Sequence, residues 1–138
     1  MNDDMLDRTA KDIIRMSSES VYVINPFVDS SNTSDLIKEK ADSCDVRLLT
    51  RKPTRESIEN CHSVLNNSGV ALMTNERVHS KLILVDNLIA VVASMNLCSG
   101  STGGRSKEAG IVTWEKKNIE SMIAFFNARW NDAENEKY

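Results

Sequence analysis

His79 and Lys81 stand two residues apart, and Asp86 follows after four intervening residues. An imidazole can act as nucleophile or base, and an ammonium supplies a compact positive charge beside it. Downstream, Ser94-x-Asn96 offers a hydroxyl and an amide. Glu108 offers a carboxylate just before the apolar stretch 109–113. The chemistry open to this set is attack or proton transfer next to a fixed cation, with neutral donors at hand and an acid in reach.

These residues need a scaffold. Leu82 to Val85 is a short aliphatic run that reads as a buried strand, and strand side chains alternate between faces, so His79 and Lys81 are expected on one face. Leu88 to Ser94 reads as a second strand. Asp86 and Asn87 between them tolerate the positive φ of a tight hairpin turn. A two-residue turn would set Val85 against Leu88, Lys81 against Val92 and His79 against Ser94, with Asn96 diagonal on the same face. One hairpin would then present His79, Lys81, Ser94 and Asn96 together, with Glu108 approaching from a neighbouring strand.

Elsewhere, Leu6, Ala10, Ile13 and Ile14 predict an amphipathic helix over 4–18. Val21–Ile24 predicts a core strand ending at Asn25-Pro26. Ser31 to Thr33 offer helix caps before Leu36, Ile37 and Ala41. Val46–Thr50 predicts a strand, 54–66 a helix with Gly69 at its end, and Val70–Met73 a strand. Ile119, Met122, Ile123, Phe126 and Trp130 mark a closing helix. Strand–helix alternation followed by adjacent strands predicts an α/β fold, a mixed sheet flanked by helices on both faces, forming a single domain over 1–138. The tail after Glu134 is expected to fray.

His79-x-Lys81-x-x-x-x-Asp86, Ser94-x-Asn96 and Glu108 together resemble the HKD signature of the phospholipase D superfamily. The family usually carries Gly before the Ser, where this chain has Ala93. The resemblance implies phosphodiester cleavage without a metal or other cofactor. His79 would form a covalent phosphohistidine, and Lys81, Ser94 and Asn96 would hold phosphate oxygens. By the same resemblance Glu108 would hydrogen-bond the His79 imidazole and stabilise its charged form. Asp86, at the turn and facing away from His79, is expected to bond turn backbone.

One imidazole cannot serve both as nucleophile and as acid on opposite sides of one phosphorus. The chain shows a single copy of the motif, and its only other histidine, His62, is expected at the surface. A two-fold homodimer sharing its active site across the axis is therefore expected. Compact single-motif chains of this kind resemble nucleases more than lipid-cleaving relatives. The leading expectation is an endonuclease acting on nucleic acid. The alternatives are a phospholipase D-type lipid phosphodiesterase, or a non-catalytic module for nucleic-acid binding or dimerisation. Arg51, Lys52 and Arg55 follow a strand end and could bind substrate phosphates, or form a solvated basic loop. Arg105 and Lys107 in the Gly/Ser stretch 99–106 and just after it could grip a nucleic-acid backbone, or belong to a connector. Trp114 and Trp130 are expected in the core or at a dimer contact.

Composition sets outer bounds. At 138 residues, 41% hydrophobic and 27% charged, the chain is an ordinary globular domain. Its net charge of −3 excludes a globally basic nucleic-acid binder but permits a local cationic site. No apolar run approaches a membrane span, so no membrane partner is expected. The acidic start Met1-Asn2-Asp3-Asp4 is unlike a secretory signal. Cys44, Cys61 and Cys98 form no zinc pattern and read as small buried residues of a reducing, cytoplasmic setting.

Overall fold

Leu6, Ala10, Ile13 and Ile14 recur at helical spacing, and all four are buried on the inner side of α1 (Asp3–Arg15). The computed structural model describes residues 3–94 and 109–133. β1 (Ser20–Ile24) and β2 (Asp45–Thr50) are linked by α2 (Asn32–Lys40); α3 (Glu56–Asn67) leads to β3 (Ala71–Thr74). β4 (Leu82–Val85), β5 (Ile89–Ala93) and β6 (Gly110–Thr113) follow, and α4 (Lys116–Asn131) closes the described chain. α2 starts at a reciprocal cap in which the Ser31 hydroxyl accepts from Ser34 N–H and the Ser34 hydroxyl accepts from Ser31 N–H. α3 runs out at Ser68, and Gly69, with φ of 102°, turns the chain into β3.

The strands form a six-stranded sheet in the order β3-β2-β1-β4-β5-β6. β1, β2 and β3 are parallel; β4, β5 and β6 join antiparallel to their neighbours. Each face has its own core. Val21, Val23, Val46, Leu48, Leu72, Ile83, Val85 and Val91 pack under α1, α2 and α3. Ile24, Leu49, Met73, Leu82, Leu84 and Ala90 pack under α4 through Ile119 and Phe126. The mixed sheet with helices on both faces is thus the arrangement that the sequence predicts. On the α4 side, Tyr22 stacks on Phe126 at 4.9 Å, and Phe126 on Trp130 at 5.7 Å, so Trp130 is a core contact as expected. Trp114 is not in the core: it is 73% exposed, just beyond the end of β6.

The hairpin register differs from expectation. Val85 pairs with Ile89, Ile83 with Val91 and Leu82 with Val92. Asp86 and Asn87 do take positive φ, 55° and 53°, and Leu88 N–H closes the turn on the Val85 carbonyl. Leu88, however, is a third loop residue, turned out to solvent at 70% exposure. Lys81 therefore lies beside Ala93, whose N–H donates to the Lys81 carbonyl at 3.1 Å. Both faces of β4 are buried and β5 is aliphatic throughout, so the usual penalty for a one-residue slip, apolar groups thrown into water, discriminates poorly between registers in this hairpin.

His62 also departs from expectation. It is fully buried. Ile58, Cys61, His62 and Leu65 fall at i, i+3, i+4 and i+7, so His62 sits within the inward stripe of α3.

Candidate active site

Strand polarity gathers the site. β1, β2 and β3 end where β4 and β6 begin and where β5 ends. Arg51, Asn75, Arg77, His79, Lys81 and Ser94 all flank that one end of the sheet. The carboxyl ends of parallel strands are where open α/β sheets hold their ligands, because loops diverge there and leave a cleft.

His79 is not on the strand itself. β4 starts at Leu82, and residues 77–81 are irregular. Val78 fixes this stretch: its side chain is buried in the α4-side core, and its N–H bonds the Asn75 carbonyl at 3.3 Å. With Val78 anchored inward, His79 is left exposed at the surface. Arg51 meets it there. Arg51 Nη2 lies 2.7 Å from His79 Nδ1, Nε donates to the Val78 carbonyl at 2.7 Å, and the guanidinium lies 5.3 Å from the centroid of the Phe27 ring. Lys81 Nζ donates to the His79 carbonyl at 3.3 Å, which draws the ammonium back toward the histidine.

Ser94 is laced to the residue preceding β6. Its N–H and hydroxyl both donate to the Ala109 carbonyl, and the Ala109 N–H donates to the Ser94 hydroxyl. The departure at Ala93 is met across the ladder. Ala93 pairs with Gly110, and a Cβ placed on Gly110 would lie 3.1 Å from the Ala93 methyl. The methyl that replaces the usual glycine hydrogen is thus given room by a missing methyl opposite.

Asp86 lies at the far end of β4 from His79 and does not bond the turn. Its carboxylate accepts from the backbone N–H groups of Ser18, Glu19 and Ser20 and from the Ser18 hydroxyl. Burial alone would raise its pKa, but the bonds from Ser20, Glu19 and Ser18 together outweigh burial and hold it below the ordinary 3.8. Asp86 ties the entry of β1 to the hairpin.

Arg55 is exposed at the N-cap position of α3, Lys52 is half-buried, and Arg51 reaches His79. Asn96, Glu108, Arg105, Lys107 and Cys98 lie outside the described residues. Cys44 and Cys61 are free thiols, the first half-buried and the second buried.

A cleft of about 460 Å³ opens beside His79, lined among others by Asn75, Arg77, Phe125, Arg129 and Asp132. Sequence reasoning missed these groups. Arg77 follows a strand end just as Arg51 does, a signal that was available. Arg129 and Phe125 come from α4, whose position over the cleft only the tertiary fold determines. Arg129 pairs with Asp132 at 3.7 Å and lies 5.5 Å from the Phe125 ring centroid. The arrangement places one imidazole at the rim of an open cleft carrying two guanidinium groups, a setting for an anionic substrate.

The same architecture occurs in solved structures. The phospholipase D family member Nuc from Salmonella typhimurium superposes with a TM-score of 0.83 at 21% identity, over 95% of this chain and 90% of that one. NucT from Helicobacter pylori gives a TM-score of 0.83 at 12% identity, over 95% and 91%. TrmBL2, an archaeal chromatin protein, gives 0.72 at 12% identity, over 98% of this chain and 52% of that one. No match to a curated protein sequence was found. Residues 10–130 match the family described as "Cardiolipin synthase, PLD-like domain", and the chain therefore belongs to the phospholipase D superfamily of phosphodiesterases. No helix among the described residues is long and apolar enough to cross a membrane.

Proposed function

We propose that this protein is a metal-independent phosphodiesterase, an endonuclease that cleaves nucleic acid at a site shared by two copies of the chain. The observation that carries the reading is His79 exposed at the rim of a cleft lined by Arg77 and by the Arg129–Asp132 pair, at the end of a phospholipase D-superfamily sheet. One His79 attacks phosphorus and forms a phosphohistidine as the P–O bond to the leaving group breaks. The His79 of the second copy protonates the leaving alkoxide, then takes a proton from water as that water hydrolyses the phosphohistidine. Lys81 from each copy neutralises the phosphoryl oxygens, with Ser94 and Asn96 as further donors. Glu108 takes the role the resemblance gives it, holding the imidazole and stabilising its charged form. In the cleft lining Asp132 offsets Arg129, and Arg77 extends the positive field beyond the scissile phosphate, which suits a polyanionic strand.

Support for the nucleic-acid substrate also comes from the DNA binding stated for TrmBL2, a chromatin protein of this fold. That likeness equally supports a module that binds nucleic acid without cleaving it, and the family description supports a lipid substrate. One panel separates the three: bis(p-nitrophenyl) phosphate, single- and double-stranded DNA, RNA and phosphatidyl lipids, each with and without EDTA. Turnover of nucleic acid that survives EDTA, is lost in His79→Ala and follows a bell-shaped pH profile is the expected result. DNA binding without any turnover would replace the enzyme with the module. Turnover of lipid alone would move the substrate.

A further inference from the structure

Arg51 leaves the end of β2 with its guanidinium committed to three neighbours: the Val78 carbonyl at 2.7 Å, the Phe27 ring at 5.3 Å and His79 Nδ1 at 2.7 Å. A guanidinium has only donors and stays protonated in proteins, so in this contact Nδ1 must be the acceptor. A neutral imidazole carries one ring proton, and here that proton is on Nε2. In that form Nε2 has no lone pair to offer phosphorus. Protonating Nδ1 as well would oppose two donors across 2.7 Å. As long as Arg51 holds it, His79 is neither nucleophile nor imidazolium acid.

From this contact we infer that Arg51 is a specificity-determining positioning residue, which withholds His79 until a second phosphate, adjacent to the scissile one, draws the guanidinium away. The inference rests on the phosphodiesterase reading and deepens it. Phosphate oxygens take charge-assisted, bidentate bonds from Arg, roughly twice as strong as bonds to a neutral acceptor such as imidazole. Once Nη2 turns to a phosphate, the ring proton passes through water from Nε2 to Nδ1. In the attacking copy the lone pair is then on Nε2 and the imidazole gains and loses no net proton, while the released His79 of the second copy takes up one proton from solvent and becomes the imidazolium that protonates the leaving alkoxide. The substrate class that can operate this release is a chain of linked phosphates, a polynucleotide. A diester with a single phosphate has no second anion to give Arg51.

Long-range ¹H–¹⁵N correlation spectra of the substrate-free protein read the tautomer directly, with His79→Ala separating its signals from those of His62. The expected result is Nε2 protonated and Nδ1 bare, with the population moving to Nδ1–H on addition of inorganic pyrophosphate. A ring already protonated at Nδ1 in the free protein, or one indifferent to pyrophosphate, overturns the inference. Kinetics supply the second readout. In Arg51→Met the kcat/KM preference for a trinucleotide over bis(p-nitrophenyl) phosphate should fall about tenfold, through a gain on the single-phosphate diester, while Arg51→Lys keeps most of the preference. Equal losses on both substrates in Arg51→Met would mean a structural role and would sink the idea. If Arg51→Met does not fold, the spectra of the unmodified protein decide. If no diester is cleaved at all, the phosphodiesterase reading fails, while the tautomer and its response to pyrophosphate still judge Arg51.

Discussion

His62 and Asp86 are titratable groups that the fold binds in specific charge states, and together they set its response to acid. Burial within α3 pushes the His62 pKa down from 6.5 to about 4, partly offset by a hydrogen bond with the Val28 backbone. The folded protein thus holds His62 neutral while the unfolded chain protonates it near 6.5. As pH falls from about 6.5 towards 4 the unfolded state takes up the extra proton, and stability should drop by on the order of 3 kcal/mol. Below that window the second group takes over. The folded pKa of Asp86 lies below 3.8, so its contribution is intact above that value and is lost as pH falls further. Urea midpoints measured from pH 7 to 3 should fall in these two stages, and His62→Leu should flatten the first stage alone. Asp86→Ala should cost about 1–2 kcal/mol at pH 7, because the N–H groups of Ser18 to Ser20 lose a charged acceptor but keep access to water. A one-stage profile unchanged by His62→Leu would contradict the burial argument. Residue identity alone made the histidine look like a surface group. The i, i+3, i+4, i+7 spacing with Ile58, Cys61 and Leu65 was the stronger signal, and it was legible in the sequence.

At the scale of elements, the helices and strands follow the apolar periodicity closely, and the pairing of β4 with β5 does not. Periodicity reports which residues face inward. It carries little register information when Ile83, Leu84, Ala90 and Val91 are all buried on one face or the other. The altered register takes Ser94 out of line with His79, yet both still flank the same end of the sheet, because strand ends gather there. Three contacts around Gly110 show how closely this end of the sheet is built. A Cβ on Gly110 would lie 2.6 Å from the Leu6 Cδ1 and 3.1 Å from both the Ala93 methyl and the Val92 carbonyl oxygen. Leu6 is fully buried and cannot swing aside without repacking α1. Gly110→Ala should therefore destabilise the fold by about 1–3 kcal/mol, and Gly110→Val by more. Because the closest clash is with one side chain, Leu6→Ala should cost less in the Gly110→Ala background than alone, which a double-mutant cycle by chemical denaturation measures. Strict additivity would mean that Ala93 and the Val92 backbone, not Leu6, set the limit.

At the scale of the whole molecule, the proposed reaction asks for more imidazoles than one copy offers. The chain has two histidines, and one of them, His62, is fully buried beneath α3. A reaction that needs an imidazole on each side of phosphorus must draw the second from another copy. The sheet offers a surface for that copy on β5 and β6. Val92 and Ile111 pair across β5 and β6, at 39% and 70% exposure, and Val92 also pairs with Leu82, which follows directly on Lys81. β6 is an edge strand, and an exposed apolar pair on a sheet edge invites a partner. A two-fold contact through this pair is the dimer put to the test. Ile111→Lys tests this with little risk to the fold, since the side chain is mostly in water already. Sedimentation velocity should show the unmodified protein as a dimer and Ile111→Lys as a monomer, with diester hydrolysis lost in proportion to the monomer fraction. Circular dichroism of the two should coincide. A monomer that cleaves at the full rate would remove the need for a second imidazole, and an inactive Ile111→Lys that still sediments as a dimer would place the contact elsewhere on the molecule.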